Sequence, residues 1–308
     1  MTADDESKSE SVIELGGLTR RFGAKVALDA VNLSVPRGMV FGLVGVNGAG
    51  KTTLIRHVLG LLKAQAGTVR IFGRDPVTDP VGVLARIGYL SEENDLPGWM
   101  RVNELLRYTR AFYPKWDDGY AEQLRQSFAL DANARIKDLS KGQRARAGLL
   151  IALAYRPELL VLDEPSSGLD PVVRHDILGA IIRTIAEEGR TVLFSSHLLE
   201  EVERVSDHVA MLHQGKVVFS AALDDIKETH RCLTLHFAEP RSGPPVFPGV
   251  VSWQGSGREW TAFCHETPRD WQEVLSKAGG RVVAERTPSL DEIFVARVGT
   301  KRATPEEV

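Results

Sequence analysis

The segment Gly45-Val46-Asn47-Gly48-Ala49-Gly50-Lys51-Thr52-Thr53 restricts this chain more than any other stretch. It follows Met39-Val40-Phe41-Gly42-Leu43-Val44, a nearly continuous apolar run that reads as a buried strand. It precedes Lys51 to Leu62, which reads as a helix stopped near Gly67. In a strand, glycine-rich turn and helix, several backbone N–H groups curl toward one point, and the helix start adds partial positive charge there. Such a loop grips phosphate. Lys51 then reaches the outer phosphates, and the Thr52 hydroxyl suits Mg2+. A second glycine-bearing turn, Leu139-Ser140-Lys141-Gly142-Gln143, opens another helix.

The rest of the chain supplies an α/β core around that loop. Val12-Ile13-Glu14-Leu15 and Val31 to Val35 read as strands. Leu159-Leu160-Val161-Leu162 and Thr191-Val192-Leu193-Phe194 read as buried strands, with a helix from Val172 to Glu188 between them, closed by Gly189. Val209 to Leu212 and Lys216 to Phe219 flank Gln214-Gly215, a hairpin signal. Residues 95–140 differ: Val102, Leu105, Leu106, Thr109 and Phe112 fall at helical spacing, and Tyr120 to Leu130 repeats the pattern, so this stretch reads as a helical insert. Leu96, Trp99 and Met100 suit either an exposed apolar patch for a partner helix or ordinary packing of that insert.

After about residue 228 the texture changes. Leu233, Leu235 and Phe237 alternate as on a half-buried strand, Pro240 to Pro248 reads as loop, Glu259 to Cys264 as strand and Pro268 to Ala278 as helix. Ser289-Leu290-Asp291-Glu292 is a capping box opening a last helix. Trp253, Trp260 and Trp271 suit the core of a small α+β domain, or a ligand platform. The polar ends, residues 1–10 and 299–308, read as disordered.

Composition sets outer limits. A net charge of -3 offers no global basic field for nucleic acid. Two widely spaced cysteines match no zinc pattern and suit a reduced, cytosolic setting. The polar, acidic start is unlike a signal peptide, and no run approaches the roughly 18 apolar residues of a membrane helix.

Asp163 ends the apolar run Leu159–Leu162. A carboxylate there is poorly solvated unless a cation neutralises it, so contact with Mg2+ is its natural role, though it also suits a turn cap. Glu164 follows directly and suits a general base polarising an attacking water.

Five motifs in order carry a family resemblance: the phosphate loop, Leu139–Gln143, Leu159–Glu164, Ser167-Gly168-Leu169-Asp170 and Ser196-His197. Together they resemble the ATP-binding subunit of an ABC transporter over roughly residues 12–228. The segment Pro288 to Phe294 is similar to the end of single-domain ATPase subunits of bacterial exporters. The implied fold is a P-loop NTPase, an ABC ATPase core (11–228) with a helical insert, plus a small C-terminal α+β domain (229–298). By the same resemblance Gly45, Asn47, Gly48, Ala49, Gly50, Lys51, Thr52 and Thr53 would bind ATP phosphates and Phe22 would stack on adenine. Phe22 also suits a core position. Thr52, Asp163 and Glu92 would serve Mg2+, with Glu92 standing where the family usually has glutamine. Glu164 would be the base, and His197 would touch the γ-phosphate. Ser140, Gly142 and Gln143 would close over the ATP of a second subunit, and Asp170 would communicate across that dimer. Asp170, before Pro171, also suits a helix cap.

The resemblance implies an ATPase that dimerises around two ATP and drives export through separate membrane subunits. The protein would then lie in the cytoplasm, peripheral on the inner face of the membrane. Two other readings are a non-transport ABC ATPase acting on ribosomes or DNA, and a binding-only regulatory subunit. A single ATPase core, the lack of a long heptad run and the weak net charge argue against the first. The intact Lys51, Asp163, Glu164 and His197 argue against the second.

Overall fold

The computed structural model describes residues 11–299 except 94, 246–247, 267–270 and 278, with backbone only for 180–181, 183–188, 274, 277 and 298–299. Residues 1–10 and 300–308, expected to be disordered, lie outside the described residues. Residues up to Ser220 form one compact unit and those from Ala221 onward a second.

The first unit is built on two sheets. Strands β1 (Ser11–Phe22), β2 (Lys25–Pro36) and β4 (Ala66–Ile71) form an antiparallel sheet in the order β2-β1-β4. A six-stranded sheet runs β5-β6-β7-β3-β8-β9, from β3 (Val40–Val44), β5 (Ile87–Leu90), β6 (Leu159–Asp163), β7 (Thr191–Ser196), β8 (His208–His213) and β9 (Lys216–Ala222). β5, β6, β7, β3 and β8 pair in parallel, and β3, β6 and β7 are buried along their whole length, as strands covered on both faces must be. β8 and β9 are joined by Gln214 and Gly215 at φ 48° and 78°, the signs that match a tight hairpin to strand twist. One core joins Ile13 and Leu15 of β1, Phe41 and Leu43 of β3, and Leu54, Ile55 and Val58 of the helix after the phosphate loop.

That helix, α1 (Lys51–Val58), stops earlier than the expected Leu62. Gly60 adopts φ 69°, its N–H bonds the carbonyl of His57 at 3.0 Å, and Leu61 N–H bonds Arg56 at 2.9 Å. This left-handed closure satisfies the last carbonyls, so Gly60 is the stop and not Gly67. A short helix α2 (Pro80–Leu84) follows β4.

The insert holds α3 (Val102–Arg110) and α4 (Asp118–Ser127), then a 3-10 turn (Ile136–Asp138) leading to α5 (Lys141–Leu153). Val102 and Leu105 are buried, but Phe112 lies past the helix end and is 63% exposed. The suggested patch divides: Trp99 is 70% exposed, whereas Met100 is buried at 5%. The Met100 carbonyl accepts from Ile136 N–H, which ties this residue into the insert. After β6, α6 (Pro171–Glu188) leads into β7, and α7 (Leu199–Val205) packs beneath β3 and β7.

The second unit begins ahead of the expected boundary at 228, because α8 (Leu223–Thr229) packs on β10 (His230–Arg241). With β11 (Val250–His265) and β12 (Gly280–Arg286) it forms an antiparallel sheet ordered β11-β10-β12. Leu233, Leu235, Phe237 and Trp260 face a core with Leu275 of α9 (Trp271–Lys277), and Trp253 and Trp271 pack at its edge. Cys232 and Phe263 face the other way, toward Ala296 of α10 (Leu290–Gly299). The tryptophans are thus core, not a ligand platform. β11 is longer than expected, β10 runs on into the expected loop as far as Arg241, and β12 carries no clear periodicity. Of the helix expected from Pro268 to Ala278, Trp271–Lys277 is described and its ends lie outside the described residues. Ser289 caps α10 as expected: Ser289 N–H donates to Glu292 Oε2 at 3.0 Å and Glu292 N–H to Ser289 Oγ at 3.3 Å. Gly299, expected in the tail, ends this helix.

Candidate functional site

Buried β3 delivers the chain to Gly45, and α1 starts at Lys51 with Gly50 as its N-cap at φ 115°. A Cβ on Gly50 would sit 2.5 Å from the Ala27 carbonyl, so both conformation and space demand glycine. No side chain caps α1 and no acid stands in its first turn, so its opening N–H groups are left for an anion. A cleft of about 340 Å³ opens here, lined by Phe22, Asn47, Gly48, Gly50, Lys51, Thr52, Thr53, Glu92 and Glu164, with Lys25 and Ala27. Gly45 and Ala49 are buried and support the loop from within, Ala49 N–H closing a turn on the Val46 carbonyl at 3.0 Å.

The charges converge on Lys51. Its buried ammonium donates to the Gly45 carbonyl at 2.6 Å and lies 2.9 Å from Glu164 Oε1. Glu164 Oε2 accepts from His197 Nδ1 at 2.6 Å, which places a proton on Nδ1, and from His197 N–H at 3.3 Å. Glu164 itself adopts φ 49°, a left-handed conformation that costs a side-chain residue about 1–3 kcal/mol. Its N–H is held by the Ser195 carbonyl at 3.2 Å and Ser195 Oγ at 3.1 Å.

Asp163 is only 2% exposed. Burial pushes its carboxyl above the usual carboxylate range, opposed by hydrogen bonds from Ser195 and Thr52 and reinforced by the charges of Glu164 and Glu92. Ser195 Oγ donates to Asp163 Oδ1 at 2.7 Å. Glu92 Oε1 accepts from Ser167 Oγ at 3.1 Å.

Phe22 is 45% exposed at the cleft, so it is not a core residue. The Arg20 guanidinium lies over its ring, 4.7 Å from the centroid.

Ser140, Gly142, Gln143 and Asp170 do not line the cleft. Ser140 and Gln143 cap α5 reciprocally, Gln143 N–H to Ser140 Oγ at 3.1 Å and Ser140 N–H to Gln143 Oε1 at 2.9 Å. Gly142 packs against Val173, where a Cβ would meet a methyl at 2.6 Å. Asp170 caps α6 through Val172 and Val173 N–H.

Sequence reasoning passed over Ser195 and Glu201, and gave Ser167 no role of its own within its motif. Glu201 is buried and gathers Ser166 Oγ at 2.6 Å, Ser196 Oγ at 3.3 Å and Arg174 Nε at 3.0 Å, pinning the ends of β6 and β7 together. The only available signal was a pair of serines closing a buried strand.

Residues 28–167 match the ABC transporter family model. The chain is 31% identical to the daunorubicin/doxorubicin resistance ATP-binding protein DrrA of Streptomyces peucetius, over 96% of this chain and 97% of that protein. It is 30% identical to Nod factor export ATP-binding protein I of Rhizobium johnstonii, over 97% and 98%. A solved ATP-binding subunit of an ABC transporter superposes with a TM-score of 0.65 at 29% identity, covering 71% of this chain and 92% of that one. With its P-loop fold and the acid pair at the end of β6, the chain belongs to the ABC transporter ATP-binding subunits: it binds ATP and is an ATPase.

Proposed function

We propose that this chain is the ATP-hydrolysing motor of an exporter, working as a dimer that closes around two ATP. The carrying observation is that one chain assembles half a site. Lys51 and Glu164 line the cleft, with His197 bonded to Glu164, while Ser140, Gly142 and Gln143 lie away from it at the start of α5. A second copy presenting its α5 start to the cleft supplies the missing donors for the γ-phosphate. Asp170, heading α6, serves contact across that dimer.

Within one copy the geometry supports the following roles. Gly45 to Thr53 wrap the phosphates, and the uncapped start of α1 faces them. Phe22 offers one ring face to adenine, the other being covered by Arg20. Lys51 exchanges Glu164 for a phosphate oxygen, which frees Glu164 Oε1 to take a proton from the attacking water. That water's oxygen bonds the γ-phosphorus as the bond to the bridging oxygen breaks. His197 keeps its grip on Oε2, so the base stays aimed. The donors fit Mg2+: Thr52, Asp163 and Glu92 offer only oxygens, and burial holds the Asp163 carboxyl above the usual range, where a nearby cation would stabilise its charge. When bound, Mg2+ offsets charge on the phosphates and on Asp163.

Export rests on the relatives, one named for Nod factor export and one for drug resistance. The driven pore belongs to separate membrane subunits, since no described helix is long and apolar enough to cross a membrane. The exposed Trp99, and a groove of about 330 Å³ lined by Leu61, Leu84, Ile87 and Tyr113, suit a cytoplasmic helix of such a subunit. The chain then works in the cytoplasm, peripheral on the inner face of the membrane. The unit that begins at Ala221 forms an accessory domain to the motor that ends at Ser220. Nothing in the site favours a ribosome- or DNA-directed ATPase, or a regulatory subunit that only binds nucleotide.

The test is Glu164→Gln. Losing a general base lowers kcat about 10²–10⁴-fold. With ATP and Mg2+ the variant elutes as a dimer, and Ser140→Arg in the same chain abolishes that dimer. Turnover at the parent rate, or a monomer at saturating ATP, refutes the reading.

A further inference from the structure

Lys141 occupies the middle of the Leu139–Gln143 turn, yet its ammonium points back into its own chain. Nζ donates to the Ser167 carbonyl at 2.7 Å. It also lies where a Cβ of Gly168 would stand, 2.5 Å away, and Gly168 adopts φ 64°. Glycine therefore leaves the space that the ammonium fills. Ser167 is engaged at all three of its polar groups. Its carbonyl takes Lys141, its N–H donates to the Glu164 carbonyl at 3.0 Å, and its Oγ donates to Glu92 Oε1 at 3.1 Å.

We infer that Lys141 and Ser167 are positioning residues for Glu92: Lys141 clamps the turn after Glu164, and Ser167 on that turn fixes one oxygen of the Glu92 carboxylate at the nucleotide cleft. The inference rests on the proposed role of Glu92 as a cation ligand. A free glutamate side chain loses rotamer freedom when it ligates a cation, and a hydrogen bond that already holds one oxygen removes part of that loss. The bond leaves Oε2 for the cation. The same turn begins at Glu164, so the clamp steadies the segment carrying the base as well. It also joins the start of α5, which faces the second copy in the proposed dimer, to the cleft of its own copy.

The link is separable by mutation because Lys141 grips a backbone carbonyl. Ser167→Ala keeps the clamp and cuts only the bond to Glu92. Lys141→Met and Gly168→Ala loosen the clamp and keep the hydroxyl, the second by placing a methyl where the ammonium lies. The readout is binding: ATP affinity by calorimetry in EDTA and in Mn2+, taken as a ratio. Glu92→Ala defines the full loss of that ratio. Ser167→Ala is expected to lower it about three- to tenfold, the scale of one ordinary net hydrogen bond. Ser167→Thr restores it. Lys141→Met and Gly168→Ala lower it by less, and neither adds further loss in the Ser167→Ala background. ATP affinity in EDTA stays within about twofold for the Ser167, Lys141 and Gly168 variants.

An unchanged ratio in Ser167→Ala, alongside a reduced one in Glu92→Ala, overturns the positioning role and leaves Glu92 as ligand. An unchanged ratio in Glu92→Ala overturns both. A loss from Lys141→Met that persists undiminished in the Ser167→Ala background assigns Lys141 to the partner's site and overturns the link.

Discussion

Replacing Asp163 by asparagine should make the nucleotide-free protein more stable while crippling it. Asp163 is 2% exposed, and burial, with Glu164 and Glu92 nearby, raises its folded pKa above the ordinary aspartate range. The sign follows. A carboxyl whose folded pKa lies above its unfolded one contributes stability that is complete below the unfolded pKa and lost as pH rises through the folded one. At neutral pH the charge is therefore a burden on folding. Asparagine has the same shape, keeps an oxygen for Ser195 Oγ and carries no charge. Removing a burden at a functional position commonly returns about 0.5–2 kcal/mol. For a unit of this size, each kcal/mol moves Tm by about 2–4 °C. The assay is thermal denaturation in EDTA at pH 7.5 and pH 5. The variant should melt a few degrees higher at pH 7.5, and its advantage should shrink toward acid as the parent's carboxyl protonates. With ATP and Mg2+ the parent should gain more than the variant, and the variant's turnover should collapse. A variant that melts below the parent at pH 7.5, or an advantage that grows in acid, refutes the account of Asp163 as a destabilised charge awaiting a cation.

Phe22→Ala should weaken ATP binding about two- to tenfold, the worth of one stacked ring, with Tm nearly unchanged because the ring is already 45% exposed; Phe22→Tyr should bind like the parent, and equal affinity in all three refutes the stacking role. In the second unit, His230 Nδ1 donates to the Ile226 carbonyl at 2.8 Å and Nε2 accepts from Arg297 at 3.1 Å, a neutral ring. Burial first, then the Arg297 and His265 charges, pushes its pKa down to about 4. The stability it contributes is present above pH 6.5 and lost as pH falls toward 4, so the Trp253, Trp260 and Trp271 fluorescence transition should move to lower temperature over that window. His230→Gln should flatten the acid slope; an unchanged slope removes His230 as its cause.

The sequence discloses the residues whose chemistry has few substitutes, and conceals those whose role comes from being neighbours. Lys51 was legible because a lysine opening the helix after a glycine-rich turn suits phosphate, and Asp163 because a buried strand ending in a carboxylate has little else to do. Ser195 was not, because a serine near the end of a buried strand is ordinary until β6 and β7 pair in parallel and set Asp163 beside it. The end of α1 depended on which of two glycines, Gly60 or Gly67, closes the helix, and that is settled by carbonyls at Arg56 and His57 rather than by composition. β12 escaped because only Gly280 and Val282 along it are even half-buried, so no alternation marks it. Met100 suited either a patch with Trp99 or packing of the insert, and the structure decides for packing: the residue is buried and its carbonyl takes the Ile136 N–H.

The positive φ of Glu164 explains why the costs concentrate here. An extended residue at this point would carry the strand onward and swing its side chain away from the phosphate loop. At φ 49° the chain turns back at once, Ser167 N–H closes the turn on the Glu164 carbonyl, and the carboxylate lies between Lys51 and His197. The strain is offset locally by the two bonds that the Glu164 N–H donates to the Ser195 carbonyl and Oγ, and the same Oγ donates to Asp163. One serine thus supports the base and the cation ligand together. A substitution of Ser195 by alanine therefore removes two supports with one atom, and its effect on turnover should exceed what either acid's own environment predicts. A turnover within twofold of the parent would show that the turn holds itself without it.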